Sequence, residues 1–177
     1  MQKLKRTFRS HLIVGLLLVT LSASTLPAPA CNSKKTLEVA AEAAKDIGGG
    51  TRDVIQAVGQ AYDKKLITLE QKDKLADLLG QIARGGQKGV AALQALEAAG
   101  VTELSSDHRA NLNKLFDDAV IGPFLDLLTE IGKLSSESSM AIRAALATVR
   151  TAILLFSQKI GRLDVEKMIT TREAEYA

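Results

Sequence analysis

The chain has 177 residues, of which 46% are hydrophobic and 24% are charged, and its net charge is +3. A single Cys excludes an intrachain disulfide framework, and an ordinary hydrophobic fraction with a small net charge argues against intrinsic disorder. Because aromatic residues make up only 3% of the chain and there are three prolines, we do not expect an all-β domain. The composition favours one helical domain.

The positive charge is confined to the N-terminal segment. Residues 1–31 contain four of the 23 Lys and Arg residues and none of the 20 Asp and Glu residues. The rest of the chain therefore carries 19 basic residues against 20 acidic ones, a net charge of −1. A nucleic-acid-binding protein concentrates positive charge on its folded domain, so we expect no nucleic-acid partner here.

Residues 1–30 have the order of a secretory signal peptide. The basic stretch Met1–Arg9 precedes an apolar run over residues 12–21, and small residues then lead to the triplet Ala-Pro-Ala at 28–30. The apolar run is about half as long as the roughly 20 residues that a membrane-spanning helix needs. The sequence therefore predicts export, with residues 1–30 as the signal peptide.

The only Cys of the chain, Cys31, directly follows this signal. Residues 1–34 resemble the signal of bacterial lipoproteins, in which a small residue such as Ala30 precedes a Cys that receives lipid and becomes the new N-terminus. The resemblance implies lipid attachment at Cys31 and an anchor in the membrane, with the polar residues 31–35 as a tether. In the alternative, Cys31 is incidental to an ordinary cleavage site, and the protein is periplasmic or secreted.

The first predicted helix covers residues 36–66. Its apolar residues recur at helical spacing, and their stripe keeps its phase across Gly48-Gly49-Gly50. Three helical glycines cost roughly 2–3 kcal/mol relative to alanine. We therefore expect one long helix with a weak point at the glycines.

The second predicted helix begins with a capping box, in which Thr68 is the N-cap and Gln71 stands three residues further on. Gly100 is its C-terminal stop signal. Gly86 and Gly89 lie on its apolar stripe. They would either let another helix approach closely or mark a hairpin.

The third and fourth predicted helices both begin at serines. The third starts near Ser105, and its apolar stripe rotates by about 90° at Gly122-Pro123, where a helical proline would remove a hydrogen bond. We expect a kink there. The fourth starts in the serine cluster at 135–139 and has the clearest amphipathic stripe of the chain, at Ile142, Leu146, Val149, Ile153, Phe156 and Ile160.

These segments predict an all-α domain over residues 36–164, an antiparallel bundle of about four helices that are each roughly 45 Å long. In the alternative, six or seven shorter helices are broken at Gly48–Gly50, Gly85-Gly86 and Gly122-Pro123. Residues 165–177 are predicted to be a charged C-terminal tail or a short helix.

No pattern in the predicted mature part indicates chemistry. It contains one His, His108, whereas a di-metal bundle needs paired Glu-x-x-His motifs and a c-type haem needs Cys-x-x-Cys-His. The run from Gly48 to Thr51 lacks the Lys of a phosphate loop and follows no strand. We therefore expect no catalytic residue, no cofactor, no metal and no enzymatic activity.

Two leucines of the fourth helix fall off its stripe. With Ile153 set at 0°, the stripe centres near roughly 320°, whereas Leu154 lies at about 100° and Leu155 at about 200°. Both point away from the face that a four-helix core would bury. Either residues 165–177 fold back over them, or they dock against another chain and form a homodimer or a partner site.

The sequence thus predicts an exported, non-enzymatic helical protein of the bacterial cell envelope. A lipid on Cys31 anchors it to a membrane, and it acts through contacts with a protein partner or a second copy. One alternative is a carrier of a hydrophobic ligand or lipid whose bundle parts at Gly86 and Gly89. Another is a membrane-active protein that inserts residues 151–157.

Overall fold

The computed structural model describes residues 33–176, which contain helices and no strand, and the predicted all-α fold is confirmed. The predicted signal peptide at 1–30 and the predicted lipid attachment at Cys31 lie outside the described residues. The elements are α1 (Ser33–Asp63), α2 (Leu69–Ala98), α3 (Ser106–Phe116), a π-helical segment (Asp117–Ile121), α4 (Gly122–Gly132), α5 (Ser136–Lys159) and α6 (Val165–Ala174).

Helix α1 packs against both α2 and α5 and runs antiparallel to α5. The middle of α1 meets the middle of α5, where Gly50 faces Val149. Beyond the C-terminal end of α1, the Ser138 hydroxyl at the start of α5 donates to the carbonyl oxygen of Leu66 at 3.1 Å. The start of α1 therefore lies at the end of the bundle where α5 finishes.

Helices α1 and α2 pass through their glycines without a break, as the continuous stripes predicted, and the alternative of breaks at Gly48–Gly50 and Gly85-Gly86 is wrong. The close approach predicted for Gly86 is confirmed. A Cβ atom at Gly86 would lie 2.7 Å from the carbonyl oxygen of Ala44 and 3.1 Å from the backbone nitrogen of Gly48. Glycine at this site lets the two helix backbones touch.

Helix α3, the π-helical segment and α4 follow one another without an intervening loop. A π-helical segment lies just before the predicted kink at Gly122-Pro123, and in it the Gly122 N–H donates to the carbonyl oxygen of Asp117. A π turn holds one residue more than an α turn, which rotates downstream positions by about 100°. This rotation accounts for the phase shift in the sequence. Pro123 is the second residue of α4 and has no N–H, so it cannot donate to the carbonyl oxygen of Ala119 four residues earlier.

The predicted caps and the stripe of the fourth predicted helix are confirmed. Both hydrogen bonds of the capping box at Thr68 and Gln71 form, and Ser105 and Ser135 cap α3 and α5. At the end of α2, Gly100 has a φ of +75°, a left-handed conformation that favours glycine. The six predicted stripe residues are all buried, five of them within α5 and the sixth, Ile160, at its C-cap. They are Ile142, Leu146, Val149, Ile153, Phe156 and Ile160.

The C-terminal residues form a short packed helix, the second of the two forms predicted for them. Val165 and Ile169 of α6 are buried in the same core as the longer helices. Arg172 donates to the Thr129 hydroxyl of α4 at 3.1 Å, and Arg150 of α5 lies 3.5 Å from the carboxylate of Glu173. Helix α6 therefore bridges α4 and α5.

Candidate functional site

The structure separates the two leucines that the sequence singled out. Leu154 is half-buried and packs against the core, so the prediction that it points away from the core is wrong for this residue. Leu155 is 37% exposed, as its position off the stripe predicted. A four-helix core has one buried face per helix, whereas α5 contacts α4 and α6 in addition to α1.

Leu155 lies on a shallow groove of about 350 Å³ between the end of α5 and the start of α6. We call this the α5–α6 surface. Its most accessible apolar residue is Leu163, in the loop between the two helices, which is 82% exposed. Sequence reasoning missed Leu163, although a leucine within the turn after Gly161 was a visible signal. The groove is lined by Thr151, Leu154, Leu155, Ser157, Gln158, Arg162, Leu163 and Glu166.

The loop that carries Leu163 is held by a helix-end motif and by an ion-pair cluster. Gly161 has a φ of +83°, and the next residue, Arg162, donates its backbone N–H to the carbonyl oxygen of Ser157 at 2.7 Å. The guanidinium of Arg162 donates to the carboxylates of Asp164 and Asp117, the latter in the π-helical segment. The hydrogen bond and the ion pairs of Arg162 therefore hold the loop that carries Leu163 against α5 and the π-helical segment.

Electrostatics reinforce this loop. The hydrogen bond from Arg162 lowers the pKa of Asp164, and the carboxylates of Asp164 and Asp117 raise the pKa of Arg162. Arg162 and Asp164 therefore both keep their charges at neutral pH. Asp164 is largely exposed, so the ion pairs orient the loop more than they stabilise the fold.

A second groove, of about 490 Å³, has α2 on one side and α3 with the π-helical segment on the other. We call it the cationic groove. Sequence reasoning did not find it, because its charged residues are about 30 positions apart in the chain. Its lining residues are Gln81, Arg84, Gly85, Lys88, Asn111, Lys114, Leu115, Asp118, Ala119 and Pro123.

A third groove, of about 620 Å³, runs along the contact of α1 and α2. Lys45 and Arg52 lie on one side of it and Gln87 and Gln94 on the other. Beside it the backbones of α1 and α2 are in contact, where Gly86 meets the carbonyl oxygen of Ala44.

The polar residues that the sequence raised as candidates for chemistry stand apart from one another in the part of the chain that the structure describes. No group of three His, Cys, Asp or Glu side chains in this range is placed to hold a metal ion. His108 is half-buried in the first turn of α3, where its backbone N–H donates to the Ser105 hydroxyl at 3.2 Å. The run from Gly48 to Thr51 is helical, and the Thr51 hydroxyl donates to the carbonyl oxygen of Gly48 at 2.7 Å.

Among the described residues, one helix, α5, is long and apolar enough to cross a membrane. A core helix of a soluble protein satisfies the same criteria, and the apolar stripe of α5 is buried in this bundle. Comparisons of the chain with protein-family models, with curated proteins and with solved structures gave no match.

Proposed function

We propose that the chain is an exported, non-enzymatic helical protein of the bacterial cell envelope, anchored to a membrane by lipid on Cys31, and that it acts through protein contacts made by the α5–α6 surface. The observation that carries the proposal is the exposure of Leu163 and Leu155 on a loop and helix end that are held rigid. Fully burying an exposed leucine contributes roughly 1.5–3 kcal/mol, so this pair supports a modest interface.

A lipid on Cys31 would place the α5–α6 surface near the membrane. Helix α1 begins at Ser33, so that three of the five residues predicted as a tether are helical. Two residues span at most about 7 Å, which keeps a lipid on Cys31 close to this end of the bundle. Because α1 and α5 are antiparallel, Leu163 lies at the same end as Ser33. The α5–α6 surface would therefore face partners at or near the membrane.

The lipid anchor is tested by Cys31→Ser in the full chain. We expect the wild-type protein to incorporate radioactive palmitate and to partition into detergent, and the variant to lose both properties. Cys31 is the only Cys of the chain, so the label has no second thiol to modify. An unmodified wild-type chain that begins at Cys31 would leave ordinary secretion in place of the anchor.

The protein contact is tested by Leu155→Glu/Leu163→Glu. Leu154 is left intact because it packs against the core. The matched control is Leu69→Glu/Met140→Glu, at residues that are 53% and 67% exposed and lie outside the α5–α6 surface. By light scattering on the purified protein, we expect a wild-type dimer, or a complex with a partner, that is lost only in the first variant. Equal loss in both variants, at unchanged helix content, would refute a specific surface.

The carrier alternative requires α1 and α2 to separate where Gly86 touches Ala44. A carrier would also retain apolar ligand on purification, which mass spectrometry of the native protein detects. The three grooves described above are open to solvent rather than enclosed, so we favour protein contacts.

A further inference from the structure

Three positive side chains line the cationic groove, and none of them is paired with a carboxylate in the part of the chain that the structure describes. Arg84 and Lys88 are one turn apart on α2, and Lys114 faces the same groove from α3. Within residues 33–176, none of the three forms an ion pair within 4.0 Å. Asp118 is the one carboxylate among the lining residues, so the groove has a net charge of +2.

General basicity of the protein does not account for this cluster. The chain after residue 31 has a net charge of −1, whereas the residues that line the groove have a net charge of +2. The sign of the charge in the groove is therefore opposite to that of this part of the chain. Like charges at positions i and i+4 of a helix are destabilising, which applies to Arg84 and Lys88. A bound anion would relieve that repulsion.

The floor of the groove is fixed by backbone packing. A Cβ atom at Gly85 would collide with the carbonyl oxygen of Ala119 in the π-helical segment, so α2 and this segment touch there. Pro123, which has no N–H to donate to that carbonyl oxygen, lies beside them. Isolated π turns within α-helices are frequent at functional sites. The groove is therefore preformed, and no side chain has to be displaced to open it.

We propose that the cationic groove binds a small molecule that carries a phosphate group. Arg and Lys are the side chains that bind phosphate oxygens, and the amide of Asn111 adds hydrogen-bond donors at the rim, whereas the Gln81 amide already donates to Asp77 at 2.9 Å. Leu115 and Pro123 offer apolar surface to the rest of the ligand. The volume of about 490 Å³ falls within the range of small-molecule sites. This site is distinct from the α5–α6 surface and does not depend on it.

Two sources could supply this chemistry, a soluble phosphate compound or the headgroup of a lipid. The test is calorimetric titration of the full chain, kept in detergent at low salt, with pyrophosphate in one arm and with dihexanoyl phosphatidic acid in the other. Saturable binding in either arm supports the site, and the tighter arm identifies the source.

The variant is Arg84→Gln/Lys88→Gln/Lys114→Gln, and the control is Lys64→Gln/Lys65→Gln/Lys167→Gln. The control lowers the net charge equally at exposed residues outside the groove. We expect the groove variant to bind about tenfold more weakly or worse and the control to stay within about twofold of wild type.

Loss of binding in both variants, or no saturable binding by the wild type, would overturn the proposal. If the triple variant does not fold, the exposed single substitution Lys114→Glu replaces it, with Lys64→Glu as its control. Weaker binding in Lys114→Glu alone supports the site, and unchanged binding overturns it.

Discussion

The contact between α1 and α2 predicts opposite effects for one substitution at two helical glycines. Gly→Ala in a helix interior stabilises by up to about 1 kcal/mol through helix propensity. At Gly49 a Cβ atom would meet nothing within 4 Å, so that gain is retained in full. At Gly86 the same atom would lie 2.7 Å from the carbonyl oxygen of Ala44, a backbone atom that cannot rotate away.

The magnitude follows from the packing cost. Forcing extra volume into a close-packed site costs roughly 1–3 kcal/mol. We therefore expect Gly86→Ala to destabilise by up to about 2 kcal/mol and Gly49→Ala to stabilise by about 1 kcal/mol. Both substitutions gain the same helix propensity, so this gain cancels when their changes in the free energy of unfolding are subtracted. The remaining difference of roughly 1–3 kcal/mol measures the cost of the helix contact at Gly86.

The assay is urea denaturation followed by circular dichroism at 222 nm, with midpoints compared at equal slope. The midpoint should rise for Gly49→Ala and fall for Gly86→Ala. Equal shifts in the same direction would refute the argument that Gly86 is required by the close approach of α1.

Three further predictions concern single side chains. Ser138→Ala removes the buried donor to the Leu66 carbonyl oxygen and should lower the free energy of unfolding by about 1–2 kcal/mol. The measurement is urea denaturation, and an unchanged midpoint would mean that water replaces the hydrogen bond. Lys65 has a φ of +58°, so Lys65→Gly should raise the melting temperature slightly by removing left-handed strain, and a lower value would contradict that strain. Hydrogen bonds from Lys133 and Lys74 lower the pKa of Glu130 below its usual 4.5, so the unfolded chain binds the proton more tightly. This stabilisation is full above about pH 5 and is lost as pH falls through the lowered pKa. Glu130→Gln should therefore lose less stability than wild type between pH 6 and pH 3, and identical slopes would contradict the pairing.

Helical periodicity was sufficient to predict the long helices, because each buries one continuous stripe. The stripe residues of α5 and the caps at Thr68, Ser105 and Ser135 are where the pattern put them. The continuity of α1 across its glycines was also predictable, because the apolar residues on both sides of the glycines lie on the same face of one helix. A break would have removed that common alignment.

Features that depend on a neighbouring element could not be derived in the same way. The phase shift before Pro123 is visible in the sequence, but the stripe alone does not distinguish a kink from the π turn that the structure contains. Leu154 was placed on the outside because one helix was assigned one buried face, whereas α6 adds a second contact to α5.

The two candidate binding surfaces differ in how far the sequence revealed them. Leu155 stood out because it falls off an otherwise regular stripe. The charges of the cationic groove, Arg84 and Lys114 among them, lie on helices that meet only in the folded chain. No local pattern connects them, so the groove required the structure.

The most direct test of the proposed function is site-specific photo-crosslinking in cells that produce the full chain. The residue p-benzoylphenylalanine replaces Leu163 in one sample and, as the control, the exposed Met140 of α5 in the other. We predict a discrete adduct from position 163 that is missing from position 140, at twice the chain mass for a homodimer or at another defined mass for a different partner. Equal adducts from both positions, or none from position 163, would contradict a protein contact at the α5–α6 surface.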